Sequence, residues 1–264
     1  MTSSRLAARL SRGLPLLAAA ALCPAAHAAV DFVGRTSTGT VAGEAFNGGP
    51  GSAFNATGTT QNVTGPIGNG VTVTREATSP SGVASVAVSI GEDNSYLEDD
   101  GTFFGAALSA RVEAARSVPG DDPSSFTLNG NNETNGSSLL TQTLDFDATG
   151  SPQPYEFGGT LSAQNNGSAT ISLERTDGPG GFVYGNGITG DFTSDPVGLF
   201  SFGFADAGSL APGSYRLEVL ATADVGPQNF GDIGAYGVSF VFVPEPASAG
   251  LAAAGGLLLL RRRR

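Results

Sequence analysis

Apolar and polar residues alternate with a period of two along most of this 264-residue chain, and no helical stripe competes with that pattern before the last twenty-two residues. Val71 and Val73 alternate with Thr72 and Thr74, while Ala84, Val86, Val88 and Ile90 point away from Ser85 and Ser89. Phe104, Ala106, Leu108, Ala110 and Val112 continue the pattern, followed by Leu140, Leu144 and Phe146, and then by Ala169, Ile171 and Leu173. Phe200, Phe202 and Phe204 come next, then Tyr215, Leu217, Val219 and Ala221, and finally Tyr236, Val238, Phe240 and Phe242. Turn-forming clusters punctuate these runs, among them residues 47–51, Asn69-Gly70, residues 119–123 and 129–138, residues 177–181, and Pro212-Gly213. Their Gly, Pro, Asn and Asp supply the φ values and side-chain hydrogen bonds that tight turns need. The pattern predicts an all-β chain, with an antiparallel β-sandwich or jelly-roll-like body over 29–242. Residues 29–65 are weaker in pattern and richer in Gly, Thr and Asn, which predicts a loosely ordered or edge segment there.

The two ends differ from the body. Arg5, Arg9 and Arg12 precede the apolar run Leu14 to Leu22, and Ala26-His27-Ala28 forms an A-x-A site, so residues 1–28 read as a secretory signal peptide. The cut is expected after Ala28, with Ala29 as a near alternative. At the other end, Val243-Pro244-Glu245-Pro246 interrupts strand pairing, because proline fixes φ and supplies no N–H. Residues 247–260 are apolar or small, and Arg261, Arg262, Arg263 and Arg264 close the chain. As a short hydrophobic helix, fourteen residues span about 21 Å at ~1.5 Å per residue, less than the ~30 Å hydrocarbon core of a bilayer. The arginines should stay cytoplasmic, acting as a membrane stop. That geometry suits a transient membrane contact through 247–260, with the tail then removed.

Val-Pro-Glu-Pro, the hydrophobic segment and the arginine run together resemble the PEP-CTERM sorting signal, over residues 243–264 only. The resemblance implies recognition by a membrane-embedded exosortase in a Gram-negative bacterium that makes exopolysaccharide. It implies export, through the translocon and signal peptidase, and association with the cell surface or extracellular matrix. It implies no common activity for the body.

Without residues 1–28 the chain has no cysteine and no histidine, and it has no lysine or tryptophan anywhere. Disulfides are excluded, so the fold must rest on its core. All sixteen Phe and five Tyr lie in the body, where they can fill the space between two sheets. Of the 24 acidic residues all but Glu245 lie in the body, against six arginines there, a net charge of −17 compared with −11 for the whole chain. Such a surface repels nucleic acid and anionic lipid.

The same inventory removes Ser-His-Asp and Cys-His catalysis, zinc sites and the lysine-dependent phosphate loop. Carboxylate chemistry and hard cations remain. Calcium accepts all-oxygen ligands, and Glu92, Asp93, Glu98, Asp99 and Asp100 form one acidic cluster that can be a calcium loop or a solvated turn. Asp121 and Asp122 form a smaller one. Glu174, Glu218, Glu156 and Asp145 lie in or beside strand-like runs and offer carboxylates for a glycosidase pair. Tyr96, Tyr155, Tyr184 and Phe182 lie near turns and offer aromatic platforms for a sugar. The spacing F-x-D-x-G at Phe204–Gly208 and Phe230–Gly234 reads as two exits from strand to turn. The expectation from these residues is a non-enzymatic structural or adhesive protein of the exopolysaccharide layer, with no cofactor unless calcium. A non-catalytic glycan-binding module and a carboxylate-only hydrolase are the alternatives.

Overall fold

A computed structural model describes residues 29–46, 56–64, 70–79, 82–99, 102–118, 134–190, 199–225 and 231–243. They form twelve strands: β1 (Ala29–Phe46), β2 (Ala56–Thr64), β3 (Val71–Ser79), β4 (Gly82–Asp99), β5 (Thr102–Ser117), β6 (Thr134–Thr149), β7 (Gln153–Gln164), β8 (Ser168–Arg175), β9 (Gly181–Thr189), β10 (Leu199–Leu210), β11 (Gly213–Val225) and β12 (Gly231–Phe242). The ladders divide them into two antiparallel six-stranded sheets. Sheet one runs β3-β4-β5-β12-β7-β10, and sheet two runs β2-β1-β6-β11-β8-β9. A single pair at one corner, Asp31 with Thr102, joins them. The result is an all-β antiparallel sandwich, as the alternation predicts.

The alternating residues face each other across the sandwich. Leu140, Leu144, Phe146, Leu217, Val219, Val86, Val88 and Phe240 are fully buried. Phe146 sits at the centre of an aromatic cluster, with ring centroids 5.4–5.9 Å from Phe103, Tyr215, Phe240 and Phe242. These offset and edge-on arrangements suit the ring quadrupoles and add to the burial of large apolar areas.

Of the segment expected to be loosely ordered or an edge, 56–64 form β2, the edge strand of sheet two, whereas 29–46 are neither. Ala29 to Ala45 pair with Thr149 to Thr134, and Val30, Val41 and Ala45 enter the core. Small residues such as Gly39 and Gly43 weaken the hydrophobic signal of β1 without weakening its ladder. β6 likewise begins at Thr134, inside what reads as a turn cluster.

Among the described residues three β-bulges decide which side chains point inward. In β1 the extra residue is Val33, which is exposed. Between β4 and β5, Leu97 pairs with Gly105 and Glu98 with Phe103, leaving Phe104 unpaired. Phe103 therefore enters the core and Phe104 is 44% exposed, the reverse of the expected facing. In β9 the extra residue is Val183, because Leu173 pairs with Tyr184 and Glu174 with Phe182.

A polar bridge links the sheets inside the sandwich. Ser37 of β1 donates to Glu92 Oε2 at 2.5 Å, and Gln142 Nε2 of β6 donates to the same oxygen. Tyr236 of β12 donates its hydroxyl to Gln142 Oε1 at 2.5 Å. All four residues are buried.

Burial holds the hydroxyls of Tyr96, Tyr215 and Tyr236 above the usual tyrosine pKa. For Tyr155, burial and its hydrogen bond to Asp206 push the value up to about 12. A tyrosine whose pKa rises on folding contributes stability that is whole below the unfolded value of ~10 and is lost at higher pH. An alkaline titration followed by ultraviolet absorbance and circular dichroism should therefore show phenolate formation and unfolding together above pH ~10. Complete tyrosine ionisation in a protein that stays folded would contradict this packing.

Candidate functional site

The outward face of sheet two gathers four of the chemistry-bearing residues singled out above. Antiparallel pairing sets Asp145 of β6 opposite Arg216 of β11, Arg216 opposite Glu174 of β8, and Glu174 opposite Phe182 of β9. Paired residues in a sheet project to the same face, so these four form one row across four strands. In the neighbouring row, Thr143, Glu218 and Ser172 line up the same way.

Arg216 organises the polar part of the row. Its Nε donates to Asp145 Oδ1 at 2.8 Å and its Nη2 to Asp145 Oδ2 at 3.1 Å, a two-pronged pairing. The hydrogen bond and charge of Asp145 raise the guanidinium pKa, and Glu218 and Glu174 reinforce that shift. The two rows thus present a cation framed by three carboxylates, Asp145 and Glu174 in its own row and Glu218 in the next.

Phe182 supplies the apolar part. Strict alternation would turn it inward beside Tyr184, but the extra residue Val183 reverses its facing. Its ring lies over Gly185, where an added Cβ would come within 2.1 Å of the ring's Cζ. Glycine there lets the ring lie down against the strand, and Phe182 is 69% exposed. The preceding turn is anchored by Arg175, whose Nε donates to Asp177 Oδ1 at 2.5 Å and whose Nη2 donates to the Pro212 carbonyl at 2.8 Å. That hydrogen bond holds the Asp177 carboxyl below the usual carboxylate range. The anchor is therefore intact above that range and is lost as pH falls through the lowered value.

The other expected site residues are dispersed. Glu156 lies on β7, in the opposite sheet. Tyr155 is buried, and its hydroxyl donates to Asp206 Oδ2 at 2.8 Å. Tyr184 packs between Phe157 and Phe204. Tyr96 stacks under the Arg35 guanidinium, 4.2 Å from ring centroid to Cζ. Asp206 lies within β10 and Asp232 within β12, so neither marks an exit from strand to turn.

The proposed calcium loop is instead a strand. Glu92 turns inward to Ser37 and Gln142, whereas Asp93 is exposed on the other face of β4. Glu98 lies six positions further along the strand from Glu92, about 20 Å at ~3.3 Å per residue. Among the described residues no group of three or more His, Cys, Asp or Glu is placed to hold a metal ion. The side chain of Asp99, and Asp100, Asp121 and Asp122, lie outside the described residues.

Two of the residues expected at the processing sites, Ala29 and Val243, lie at the ends of the described fold. Ala29 is the first residue of β1 and pairs with Thr149. Phe242 is the last residue of β12, buried in the core, and the Val243 N–H donates to the Pro154 carbonyl at 2.9 Å. Ala28, Pro244, Glu245, Pro246 and the segment 247–264 lie outside the described residues. Among the described residues no helix is long and apolar enough to cross a membrane.

The outward face of sheet one is unlike that of sheet two. Two shallow grooves of about 440 and 470 Å³ cross it, floored mainly by small residues including Ala107, Gly158, Gly237 and Ser239. Neither has a cation or an exposed ring in its lining. Among the described residues sheet one also exposes an ion pair, Arg111 with Glu113 on β5, and the ring of Phe104, but neither lines these grooves.

No protein-family model matches the chain, and no curated protein matches its sequence. Among solved structures, TmCBM61, determined in complex with beta-1,4-galactotriose, is similar over 58% of this chain and 88% of its own, with 12% identity and a TM-score of 0.28. The enzymatically active domain of bacteriophage CBA120 tailspike protein 4 is similar over 67% of this chain and 20% of its own, with 18% identity and a TM-score of 0.27. A Bacillus thuringiensis Cry1Da tryptic core variant is similar over 86% of this chain and 54% of its own, with 12% identity and a TM-score of 0.21. Similarities this shallow carry no inference about ligand or activity.

Proposed function

We propose that this is an exported, non-enzymatic adhesive protein of the cell surface or extracellular matrix, which holds a neutral polysaccharide strand against the outward face of sheet two. The row Asp145–Arg216–Glu174–Phe182 carries the reading. A pyranose ring has an apolar C–H face and a rim of hydroxyls. An exposed aromatic ring serves the first, and a guanidinium held by carboxylates serves the second. The ligand is neutral because a body of net charge −17 repels an anionic glycan. Asp145 is held by both prongs of Arg216, an arrangement that favours recognition over acid–base chemistry.

Delivery rests on the two ends of the chain. An exosortase must reach its target outside the folded body, and the Val243–Pro246 motif begins at the residue directly after buried Phe242. Tail processing then leaves the sandwich displayed or released. The intact mass of protein recovered from its host should correspond to a chain that starts near Ala29 and ends near Val243 to Pro246, with any attached group added. A mass that runs through Arg264 would remove the sorting step.

Binding is tested by affinity electrophoresis in gels containing the host's neutral exopolysaccharide. The wild-type protein should be retarded, and Phe182→Ala should weaken binding at least tenfold, about 1.4 kcal/mol. Gly185→Ala should weaken it too, because a Cβ there displaces the ring. Phe104→Ala, an exposed aromatic of sheet one, should migrate like the wild type. Equal retardation of all four proteins would refute the assignment of the face.

A further inference from the structure

Successive outward rows of sheet two differ in what they offer a bound chain. In the first, Arg216 and Asp145 are engaged with each other, and β1 contributes only Gly34. The second runs through Gly185, Ser172, Glu218, Thr143 and Thr36, across β9, β8, β11, β6 and β1. Leu220 interrupts the third row between Thr170 and Thr141, and Leu139 interrupts the fourth between Thr222 and Thr40. Among the described residues of this face, only the second row carries a hydroxyl or a carboxylate on each of β8, β11, β6 and β1.

The two ends of that row differ in character. At β9 the ring of Phe182 leans out of the first row and over Gly185, so its exposed apolar surface caps the second. At β1 the hydroxyl oxygens of Thr36 and Thr143 lie 2.6 Å apart. One donates to the other, which leaves the acceptor's proton and the remaining lone pairs of both oxygens for a ligand. Between the ends, the ionised carboxylate of Glu218 can only accept, and a sugar rim is rich in donating hydroxyls. From β9 to β1 the row takes four strand steps, roughly 19 Å at ~4.8 Å each.

We propose that the polysaccharide crosses the strands along this second row, with an apolar sugar face on the Phe182 ring and hydroxyls on Ser172, Glu218 and the Thr36–Thr143 pair. The path rests on the glycan-binding function proposed above and adds its direction and length. Its ligand is an extended stretch of a neutral chain, about four sugar units at roughly one unit per strand step, and not a single residue. The ring anchors one end. Glu218 and the threonine pair, two to four strands away from it, discriminate long chains from short ones. The first row, whose long side chains stand beside this path, holds Glu174 and Arg216 along one flank of the chain.

The test is isothermal titration calorimetry of the exported protein with size-fractionated oligosaccharides prepared from the host's neutral exopolysaccharide. Affinity should rise with each added unit up to about four and then level off. Thr143→Val and Thr36→Val remove a hydroxyl and keep the β-branched shape that suits a strand. Each should weaken binding of the tetrasaccharide about three- to tenfold and leave the disaccharide unchanged, whereas Phe182→Ala should weaken both. Thr222 forms a hydroxyl pair of the same kind with Ser168, at 2.7 Å in the fourth row, and Thr222→Val should bind like the wild type. Circular dichroism confirms that each variant is folded. Equal affinity for all lengths overturns the path, as does unchanged tetrasaccharide binding in both folded threonine variants, or a loss in Thr222→Val equal to theirs. In those cases weakened binding by Phe182→Ala leaves the glycan function standing. Failure of the wild type to bind any oligosaccharide or the intact polymer refutes that function and the path with it.

Discussion

Phe146→Ala should remove about 3–5 kcal/mol of stability, a large share of the ~5–15 kcal/mol typical of a folded domain. Phe146 is fully buried, and four aromatic rings from β5, β11 and β12 pack around it. Truncation leaves a cavity bounded by rings on both sheets, which cannot collapse into it without separating the ladders. The expected measurement is a urea unfolding curve whose midpoint falls sharply with little change in slope. With no disulfide available to hold the body together, nothing compensates. A change below about 1 kcal/mol would mean that this cluster is not the centre of the core.

Glu92→Ala should cost a comparable amount, about 2–6 kcal/mol for two unsatisfied buried groups, for the opposite chemical reason. The carboxylate accepts from Ser37 and Gln142 of sheet two while belonging to a strand of sheet one. Its removal strands two buried donors, each costing ~1–3 kcal/mol when left unsatisfied. Glu92→Gln keeps an accepting oxygen and should cost roughly half as much. Glu92→Leu should stay close to Glu92→Ala, because added apolar bulk does not satisfy Ser37 or Gln142. If Glu92→Leu proved as stable as the wild type, the polar bridge would be incidental to how the sheets join.

The alternation of β6, β8, β11 and β12 can be read residue by residue, because the buried positions of each recur every second residue without interruption, although Leu139, Leu220, Ile233 and Val241 fall on the outward face. A bulge cannot be read this way. One inserted residue at Val33, Phe104 or Val183 leaves composition and spacing almost unchanged, yet reverses the facing of the strand on one side of it. Phe104 accordingly reads as core, although Phe103 is the buried residue. The same effect hid the arrangement of the outward row on sheet two. Phe182, Glu174, Glu218 and Asp145 are each conspicuous in the sequence, but their meeting depends on strand order and on the bulge at Val183. Arg216, which pairs with Asp145 and lies opposite Glu174, is signalled only by being one of few cations in an acidic body. Glu92 misled for a related reason. Charged residues in a run suggest a solvated loop, whereas a strand sends alternate members of the run to opposite faces.

The central claim is that sheet two, not sheet one, meets the polysaccharide. Hydrogen–deuterium exchange of the exported protein, with and without saturating neutral polysaccharide from its own host, tests it most directly. The predicted result is added protection along β8, β9 and β11, centred on Glu174, Phe182 and Arg216, with the amides of β4 and β5 unchanged. Protection confined to the grooves of sheet one, or none at saturation, would contradict it.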